Sequence, residues 1–171
     1  MVSFRPLHRS DFPLLKQWLS EPHVDKWWNE PLNLAGIEDK YGPRVDKIDP
    51  TNVFIMEHEG RSVGWIQWYR WKDYPKHSVQ LGAGPNNAGI DITIGKPELI
   101  GLGIGPTAIR NFLKQIVFFD EGIASVIVDV DERNSRSLGA FEKVGFSPIR
   151  SVQLEGEDCI RKVMRLYRQE C

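Results

Sequence analysis

Three glycines at alternating positions, Gly101, Gly103 and Gly105, have the spacing in this chain that most directly suggests chemistry. They follow a predicted strand that ends near Ile94, and they lead into a predicted amphipathic helix over residues 104–119. Glycine lets the backbone approach a ligand closely and adopt positive φ, and the amides at a helix N-terminus attract phosphate. The pattern predicts a phosphate-binding loop, although an ordinary tight strand–helix turn has the same composition.

Two common phosphate-binding motifs do not fit this loop. A P-loop continues as Gly-Lys-Ser/Thr, whereas Gly105 is followed by Pro106 and Thr107. A dinucleotide fingerprint has the spacing G-x-G-x-x-G early in a βαβ unit, whereas the spacing here is G-x-G-x-G and lies late in the chain. The sequence therefore disfavours nucleotide hydrolysis and NAD binding.

A capped helix follows the next predicted strand. Asn134 is a typical helix N-cap residue, the segment up to Val144 is amphipathic, and Gly145 is a typical C-cap residue. These local roles need no ligand. A capped helix one strand after a glycine loop favours a ligand-binding function more strongly than either element alone.

Together, residues 100–105, Asn134 and residues 141–146 resemble the acetyl-CoA signature of the GCN5-related N-acetyltransferases, the GNAT superfamily. The resemblance extends over essentially the whole chain. Residues 23–28, 63–69 and 89–91 resemble the aminoglycoside 6'-N-acetyltransferase subgroup in particular. The resemblance implies an α/β (α+β) fold with one mixed, mostly antiparallel sheet flanked by helices, and with acetyl-CoA at a splay between two central parallel strands.

The order of the predicted elements agrees with that fold. The predicted strands are residues 2–7, 52–57, 61–71, 89–94, 124–130, 151–154 and 160–166. The predicted helices are one capped by Ser10-Asp11 and ended by Pro22, a weaker one over residues 34–45 interrupted at Gly42-Pro43, and those over residues 104–119 and 134–144. Residues 74–88 are rich in Gly, Pro and Asn and are predicted to be a loop. The chain begins with hairpins and continues with strand–helix units. This order predicts one mostly antiparallel sheet covered by helices, in a single domain over residues 1–171.

The resemblance also implies which residues bind acetyl-CoA. The pantetheine arm would pair with the backbone of Ile92 and Ile94, and the pyrophosphate would lie on the amides of residues 102–105 and Thr107. Asn134 would contact the pantetheine. The expected cofactor-binding set is Ile92, Thr93, Ile94, Ile100, Gly101, Leu102, Gly103, Ile104, Gly105, Pro106, Thr107, Asn134 and Phe141.

Two positions depart from the family pattern. Ile100 stands at the first position of the Q/R-x-x-G-x-G/A motif, so only backbone amides would bind the phosphates. Phe141 stands where many relatives have a tyrosine that protonates the departing thiolate. A phenyl ring donates no proton, so another donor or water would serve, or the thiolate would leave unassisted.

Acetyl transfer to an amine requires a neutral nitrogen, an aligned thioester and a stabilised oxyanion. Because the acceptor amine is mostly protonated at neutral pH, a nearby carboxylate can hold the cation and accept its proton. Asp91 is the candidate catalytic base, since it lies at the start of the strand expected to hold the thioester. The alternative is a structural aspartate in a salt bridge.

The other acceptor-binding candidates are acidic, aromatic or amide side chains suited to a polycation. Asp129 lies near the C-terminal end of its predicted strand, and Gln67 and Tyr69 share one face of theirs. The expected substrate-binding set is Trp27, Trp28, Asp49, Gln67, Tyr69, Asp73, Asp91 and Asp129. Core packing or a surface position is the alternative for each. His23, a histidine predicted to lie in a loop beside Pro22, is not included.

Composition limits the remaining function classes. A formal net charge of −1 gives no sign of nucleic-acid binding, and no apolar run suggests a membrane span or a signal peptide. Cys159 and Cys171 have no metal-site spacing, and a reducing cytoplasm is the expected location. Three functions stay open: aminoglycoside 6'-N-acetylation with antibiotic resistance, acetylation of another amine such as a polyamine, a siderophore lysine or a protein N-terminus, and non-catalytic acyl-CoA binding. The sequence allows a monomer or a homodimer.

Overall fold

The computed structural model describes residues 1–171 and is built around one seven-stranded sheet. The strands are β1 (Val2–Pro6), β2 (Asn52–His58), β3 (Arg61–Arg70), β4 (Asn87–Ile94), β5 (Ser125–Asp131), β6 (Ser147–Gln153) and β7 (Ile160–Tyr167). Their order in the sheet is β1-β2-β3-β4-β5-β7-β6. β1 pairs with β2, β5 with β7 and β6 with β7 in antiparallel fashion, whereas β4 and β5 are parallel. The predicted mixed, mostly antiparallel sheet is confirmed.

Six α-helices accompany the sheet. They are α1 (Phe12–Leu19), α2 (Pro22–Trp28), α3 (Leu34–Val45), α4 (Pro75–Leu81), α5 (Ile104–Phe112) and α6 (Ser135–Val144). None of them combines the length and apolar character of a membrane-spanning helix. Helix α3 continues through Gly42-Pro43, so the predicted interruption is wrong. The predicted helix over residues 104–119 is α-helical only as far as Phe112, and Leu113–Val117 form a π-helical turn.

Two helices lie where the sequence predicted none. Helices α2 and α4 each begin with a proline, Pro22 and Pro75, at a position where the missing N–H leaves no hydrogen bond unmade. Each ends at a residue with left-handed backbone, Asn29 (φ 44°) and Gly82 (φ 67°). Helix α1 ends at Leu19, before Pro22 as predicted, but Pro22 also starts a helix that the sequence did not predict. The prediction that residues 74–88 are a loop is wrong, because Pro75 starts α4.

The chain folds as two compact units, residues 1–67 with 92–108 and residues 68–91 with 109–171. In the first unit, the core contains Trp18 and Trp65, whose rings stack 6.2 Å apart. The end of β4 packs tightly on this core, because a Cβ added at Gly95 would lie 2.2 Å from the indole of Trp18. The backbone of β4 is therefore fixed just before the glycine loop.

The core of the second unit includes Trp71, Leu81, Ile127, Leu154 and Val163. The parallel ladder between β4 and β5 has two residue pairs, Asn87 with Ser125 and Ala88 with Val126. The ladder between β5 and β7 has seven, from Ser125 with Tyr167 to Asp131 with Arg161. Strand β5 is therefore fixed mainly by its antiparallel neighbour.

Candidate functional site

The glycine loop has the geometry of an exposed backbone turn at the start of α5. Gly101 and Gly103 have φ values of 84° and 80°, which other residues adopt only at a cost. A Cβ added at either glycine would meet no atom within 4 Å, so the backbone faces open space. Helix α5 begins directly after Gly103, whose carbonyl accepts from the amide of Thr107 at 3.2 Å. This combination of positive-φ glycines and first-turn amides is suited to an anion.

The stretch of β4 in the same unit lies between its partner strand and α2. The amide of Gly95 donates to the carbonyl of Val63 on β3, at 2.8 Å. The carbonyl of the preceding residue, Ile94, accepts instead from Nε2 of His23, at 2.8 Å. This contact fixes the proton of the imidazole on Nε2. His23 lies on a helix, so its predicted loop position is wrong, and its side chain already occupies one backbone group that the cofactor was expected to use.

The remaining first-unit candidates divide between surface and core. Trp27 is partly exposed, and the Lys26 ammonium lies 4.7 Å from the centre of its ring. Trp28 is also partly exposed, but its ring lies 5.2 Å from that of Trp65 and packs on the core. Trp27 therefore has more surface available to a ligand than a core residue has, whereas Trp28 mainly extends the core.

Two further candidates contact a single arginine. Gln67 is buried, and its Oε1 accepts from Nη1 of Arg44 at 3.0 Å. The Asp49 carboxylate lies 3.6 Å from Nε of the same arginine and accepts from the backbone amide of Thr51 at 2.8 Å. Both side chains thus have structural partners, and their predicted roles in substrate binding stay predictions.

In the second unit, Asp91 is held by a tyrosine. The phenol of Tyr69 hydrogen-bonds with the Asp91 carboxylate. Burial raises the pKa of Tyr69 well above its usual value, and the negative charges of Asp91 and Asp129 raise it further. The phenol therefore stays protonated at neutral pH and donates to Asp91, while edge-on contacts with the rings of Trp71 and Tyr74 fix its position.

Asp129 has a different environment, although it lies in the same unit. Its side chain is 9% exposed, so the alternative of a solvent-facing strand residue is wrong. Its Oδ2 lies 3.3 Å from Nε2 of His77 and 3.8 Å from Nη1 of Arg161. The hydrogen bond with Asp129 raises the pKa of His77. Asp129 is thus a carboxylate already matched by two basic side chains.

The other second-unit candidates have no comparable surroundings. Asp73 is exposed at the end of a short 3₁₀ turn after β3. Asn134 is the N-cap of α6, as predicted, and its Oδ1 accepts from the amide of Ser137 at 3.1 Å. Phe141 is 3% exposed and packs edge-on against Phe146. Phe141 is therefore a core residue, and its expected contact with the cofactor stays a prediction.

Sequence reasoning missed His77 and Arg161, the two basic partners of Asp129. His77 was missed because Pro75 was interpreted as part of a loop instead of the start of α4. Arg161 lies on β7 opposite Asp131 of β5, and that register depends on long-range pairing. The local signal for His77 is Pro75 as the first residue of a helix, whereas no local signal identifies Arg161.

Comparisons with known proteins agree with this architecture. The model of the acetyltransferase (GNAT) domain matches residues 8–154. The chain is 27% identical to aminoglycoside N(6')-acetyltransferase type 1 of Klebsiella pneumoniae over 157 residues, which cover 85% of this chain and 73% of that protein. It also resembles the crystal structure of aminoglycoside acetyltransferase AAC(6')-Ib in complex with coenzyme A and kanamycin, with a TM-score of 0.83, 26% identity, and coverage of 99% of this chain and 96% of that one. A spermidine N-acetyltransferase from Vibrio cholerae shares the fold at a TM-score of 0.76 and 17% identity, with coverage of 99% and 96%.

The His77–Asp129 pair predicts a pH-dependent contribution to stability. Because the folded protein raises the pKa of His77, the imidazole binds its proton more tightly in the folded state than in the unfolded one. The stabilisation is therefore complete below about pH 6.5, the usual histidine pKa, and is lost as the pH rises through the higher folded value. His77→Gln should lower the free energy of unfolding, measured by urea denaturation, more at pH 5.5 than at pH 8.5.

Asp129→Asn supplies the control for this prediction. In that background the carboxylate that raises the His77 pKa is absent, while burial and the charge of Arg161 still lower it, so the larger effect of His77→Gln at pH 5.5 should be lost or reversed. An equal effect of His77→Gln at pH 5.5 and pH 8.5 in the wild-type background would show that the pair does not form in solution.

Proposed function

This chain belongs to the GNAT acetyltransferase family, and we propose that it transfers the acetyl group of acetyl-CoA to the 6'-amine of aminoglycoside antibiotics, which would confer resistance. The observation that carries this proposal is the Asp91 carboxylate, held by the phenol of Tyr69 on the strand that continues into residues 92–94. The likeness to aminoglycoside 6'-N-acetyltransferases over nearly the whole chain supports the acceptor class.

Acetyl-CoA would be bound chiefly by backbone groups. Gly101 and Gly103 allow the loop amides to face the pyrophosphate, and the side chain of Ile100 adds no charge. The backbone at residues 92–94 would pair with the pantetheine. Because the Ile94 carbonyl already accepts from His23, either the pantetheine uses the other backbone groups or the His23 contact opens on binding.

Asp91 would hold the ammonium of the acceptor and take its proton. The hydrogen bond from the neutral phenol orients the carboxylate that would accept this proton. Tyr69 is then a positioning residue, because its proton stays on the phenol oxygen. The neutral amine can attack the thioester carbon once Asp91 has accepted its proton, directly or through one water.

The departing thiolate would have no aromatic proton donor at position 141. Phe141 lies in the core against Phe146 and has no polar atom in its side chain. The thiolate would therefore be protonated by water or leave as the anion. A thiol has a pKa near 8.5, so departure of the anion at neutral pH costs little compared with departure of an alkoxide.

Both compact units would serve this one activity, because the family match over residues 8–154 includes most of each unit. The proposal thus treats the chain as one acetyltransferase domain. We place the protein in the cytoplasm, where acetyl-CoA is available and where thiols such as those of Cys159 and Cys171 remain reduced. It would act as a monomer or a homodimer.

A second candidate function is acetylation of another small amine, such as a polyamine. The shared fold of the Vibrio cholerae spermidine N-acetyltransferase supports it only at the level of architecture. Non-catalytic acyl-CoA binding is the third candidate, and the apolar side chain at position 141 is the feature that favours it.

The acceptor class can be tested by thiol release from acetyl-CoA. Kanamycin, tobramycin and neomycin should each release thiol at rates well above spermidine and lysine. Paromomycin, which carries a hydroxyl in place of the 6'-amine of neomycin, should release little, because the proposed acceptor atom is absent. Thiol release with spermidine but with no aminoglycoside would favour acetylation of another small amine. Binding of acetyl-CoA without thiol release would favour non-catalytic acyl-CoA binding.

The role of Asp91 predicts a specific kinetic change. Asp91→Asn removes the proton acceptor while it keeps the size of the side chain, so kcat with kanamycin should fall about 100-fold or more. The Kd for acetyl-CoA, measured by titration calorimetry, should change less than about twofold. Asp39→Asn on the exposed face of α3 removes the same charge and should leave kcat unchanged. Wild-type turnover in Asp91→Asn would exclude Asp91 as the base.

The backbone of the glycine loop predicts a change in cofactor affinity. Gly103→Val places a β-branched side chain at a positive φ and in the space proposed for the pyrophosphate, so the Kd for acetyl-CoA should rise about tenfold or more. Gly156→Val is the matched control, because Gly156 has a similar φ of 82° and open surroundings in the turn after β6. Both variants should lose similar stability, while only Gly103→Val should weaken binding. Equal affinities would place the phosphates elsewhere.

A further inference from the structure

Arg161, at the start of β7, connects two acidic side chains of the second unit. Its Nε lies 2.7 Å from Oε2 of Glu157 in the preceding turn, and its Nη1 lies 3.8 Å from Oδ2 of Asp129 on β5. The antiparallel register pairs Arg161 with Asp131, so its side chain lies on the same face of the sheet as Asp129. About a quarter of the Arg161 side chain is exposed, so the guanidinium is within reach of solvent and ligands.

The Asp129 carboxylate has little remaining capacity for another cation. The same Oδ2 that faces Arg161 also accepts from Nε2 of His77, and only 9% of the side chain is exposed. The Asp91 carboxylate, in contrast, is held by the neutral phenol of Tyr69. The two carboxylates near Tyr69 therefore differ in the groups that hold them, because a phenol hydrogen-bonds with Asp91, whereas an imidazole and a guanidinium lie beside Asp129.

From this arrangement we propose that Arg161 is a specificity-determining residue that withholds Asp129 from cationic acceptors. The inference rests on the proposed function and narrows its substrate class. Recognition would depend on the reacting amine at Asp91 and on the hydroxyl groups of the sugar, while additional ammonium groups of the acceptor would gain little. The guanidinium would also repel a second ammonium group that approaches Asp129.

This proposal predicts a gain of affinity when the charge of Arg161 is removed. Arg161→Met keeps the apolar stem of the side chain, and so its packing, but removes the guanidinium beside Asp129. It is made together with His77→Gln, which removes the second basic partner, so that Asp129 is free for an acceptor ammonium. The KM for kanamycin and tobramycin should fall roughly fivefold, while the KM for acetyl-CoA and kcat stay within about twofold. The KM for 6-amino-6-deoxyglucose, which has a single amine, should not change, because that amine is engaged by Asp91.

Three further variants separate specificity from structure. Lys162→Met removes an equal charge from the neighbouring, exposed position of β7 and should leave every KM unchanged. Arg161→Lys keeps the charge and should behave like the wild type. Asp129→Asn combined with Arg161→Met and His77→Gln should abolish the gain, because the freed carboxylate is then absent. If Arg161 had only a structural role, Arg161→Met would change the free energy of unfolding, but its combination with His77→Gln would not lower the KM for aminoglycosides.

An independent measurement checks the ion pair itself. NMR titration of His77 should show a higher pKa in Arg161→Met than in the wild type, because the positive charge of Arg161 opposes protonation of the imidazole. An unchanged titration, or an aminoglycoside KM that is unchanged or higher in Arg161→Met combined with His77→Gln, would overturn the proposal while the acceptor class stands. An absence of aminoglycoside turnover in the wild type would instead overturn the proposed function, and this inference with it.

Discussion

Strands β4 and β5 share only a short ladder, so their remaining backbone groups need other hydrogen-bond partners, and much of this structure depends on that requirement. The parallel ladder between them has two residue pairs, and a buried backbone carbonyl left without a partner is costly. In the second unit, the indole of Trp71 donates to the carbonyl of Ile127 at 3.0 Å. In the first unit, His23 donates to the carbonyl of Ile94. Side chains thus supply individual carbonyls with the hydrogen bonds that a longer ladder would supply to a whole strand.

The partners of a carboxylate likewise determine how it can interact with a ligand. Asp91 and Asp129 are both expected to contact the acceptor, yet one is held by a phenol and the other by two basic side chains. A neutral donor orients a carboxylate through a hydrogen bond, whereas a guanidinium also balances the charge of the carboxylate. Two aspartates with the same intrinsic chemistry therefore receive different capacities from their neighbours. A count of acidic residues in the sequence overstates how strongly such a site attracts a polycation.

The sequence predicted most of the sheet, the glycine loop and the capped helix, because these depend on local signals. Alternating apolar residues reveal strands, and positive φ at Gly101 and Gly103 reflects a property of glycine itself. Helices α2 and α4 escaped prediction because a proline can end one helix or begin the next, and only the folded context decides.

The predicted site was less complete than the predicted fold, for a physical reason. The partners of Asp129 and Asp91 come from residues distant in the chain, and the β5–β7 register determines one of them. Trp28 and Phe141 have the composition of ligand contacts but pack on the cores of their own units. Side-chain type alone does not separate an aromatic wall of a binding site from an aromatic core.

The uneven ladders of β5 also determine how the second unit can form during synthesis. Strand β5 shares two residue pairs with β4, which precedes it in the chain, and seven with β7, which follows about thirty residues later. A nascent chain that has exposed only β4 and β5 therefore has too few contacts to offset the entropy of closing the intervening loop. We therefore expect folding of the second unit to depend on the emergence of β7 from the ribosome, since until then the apolar row of β5 lacks its main partner strand.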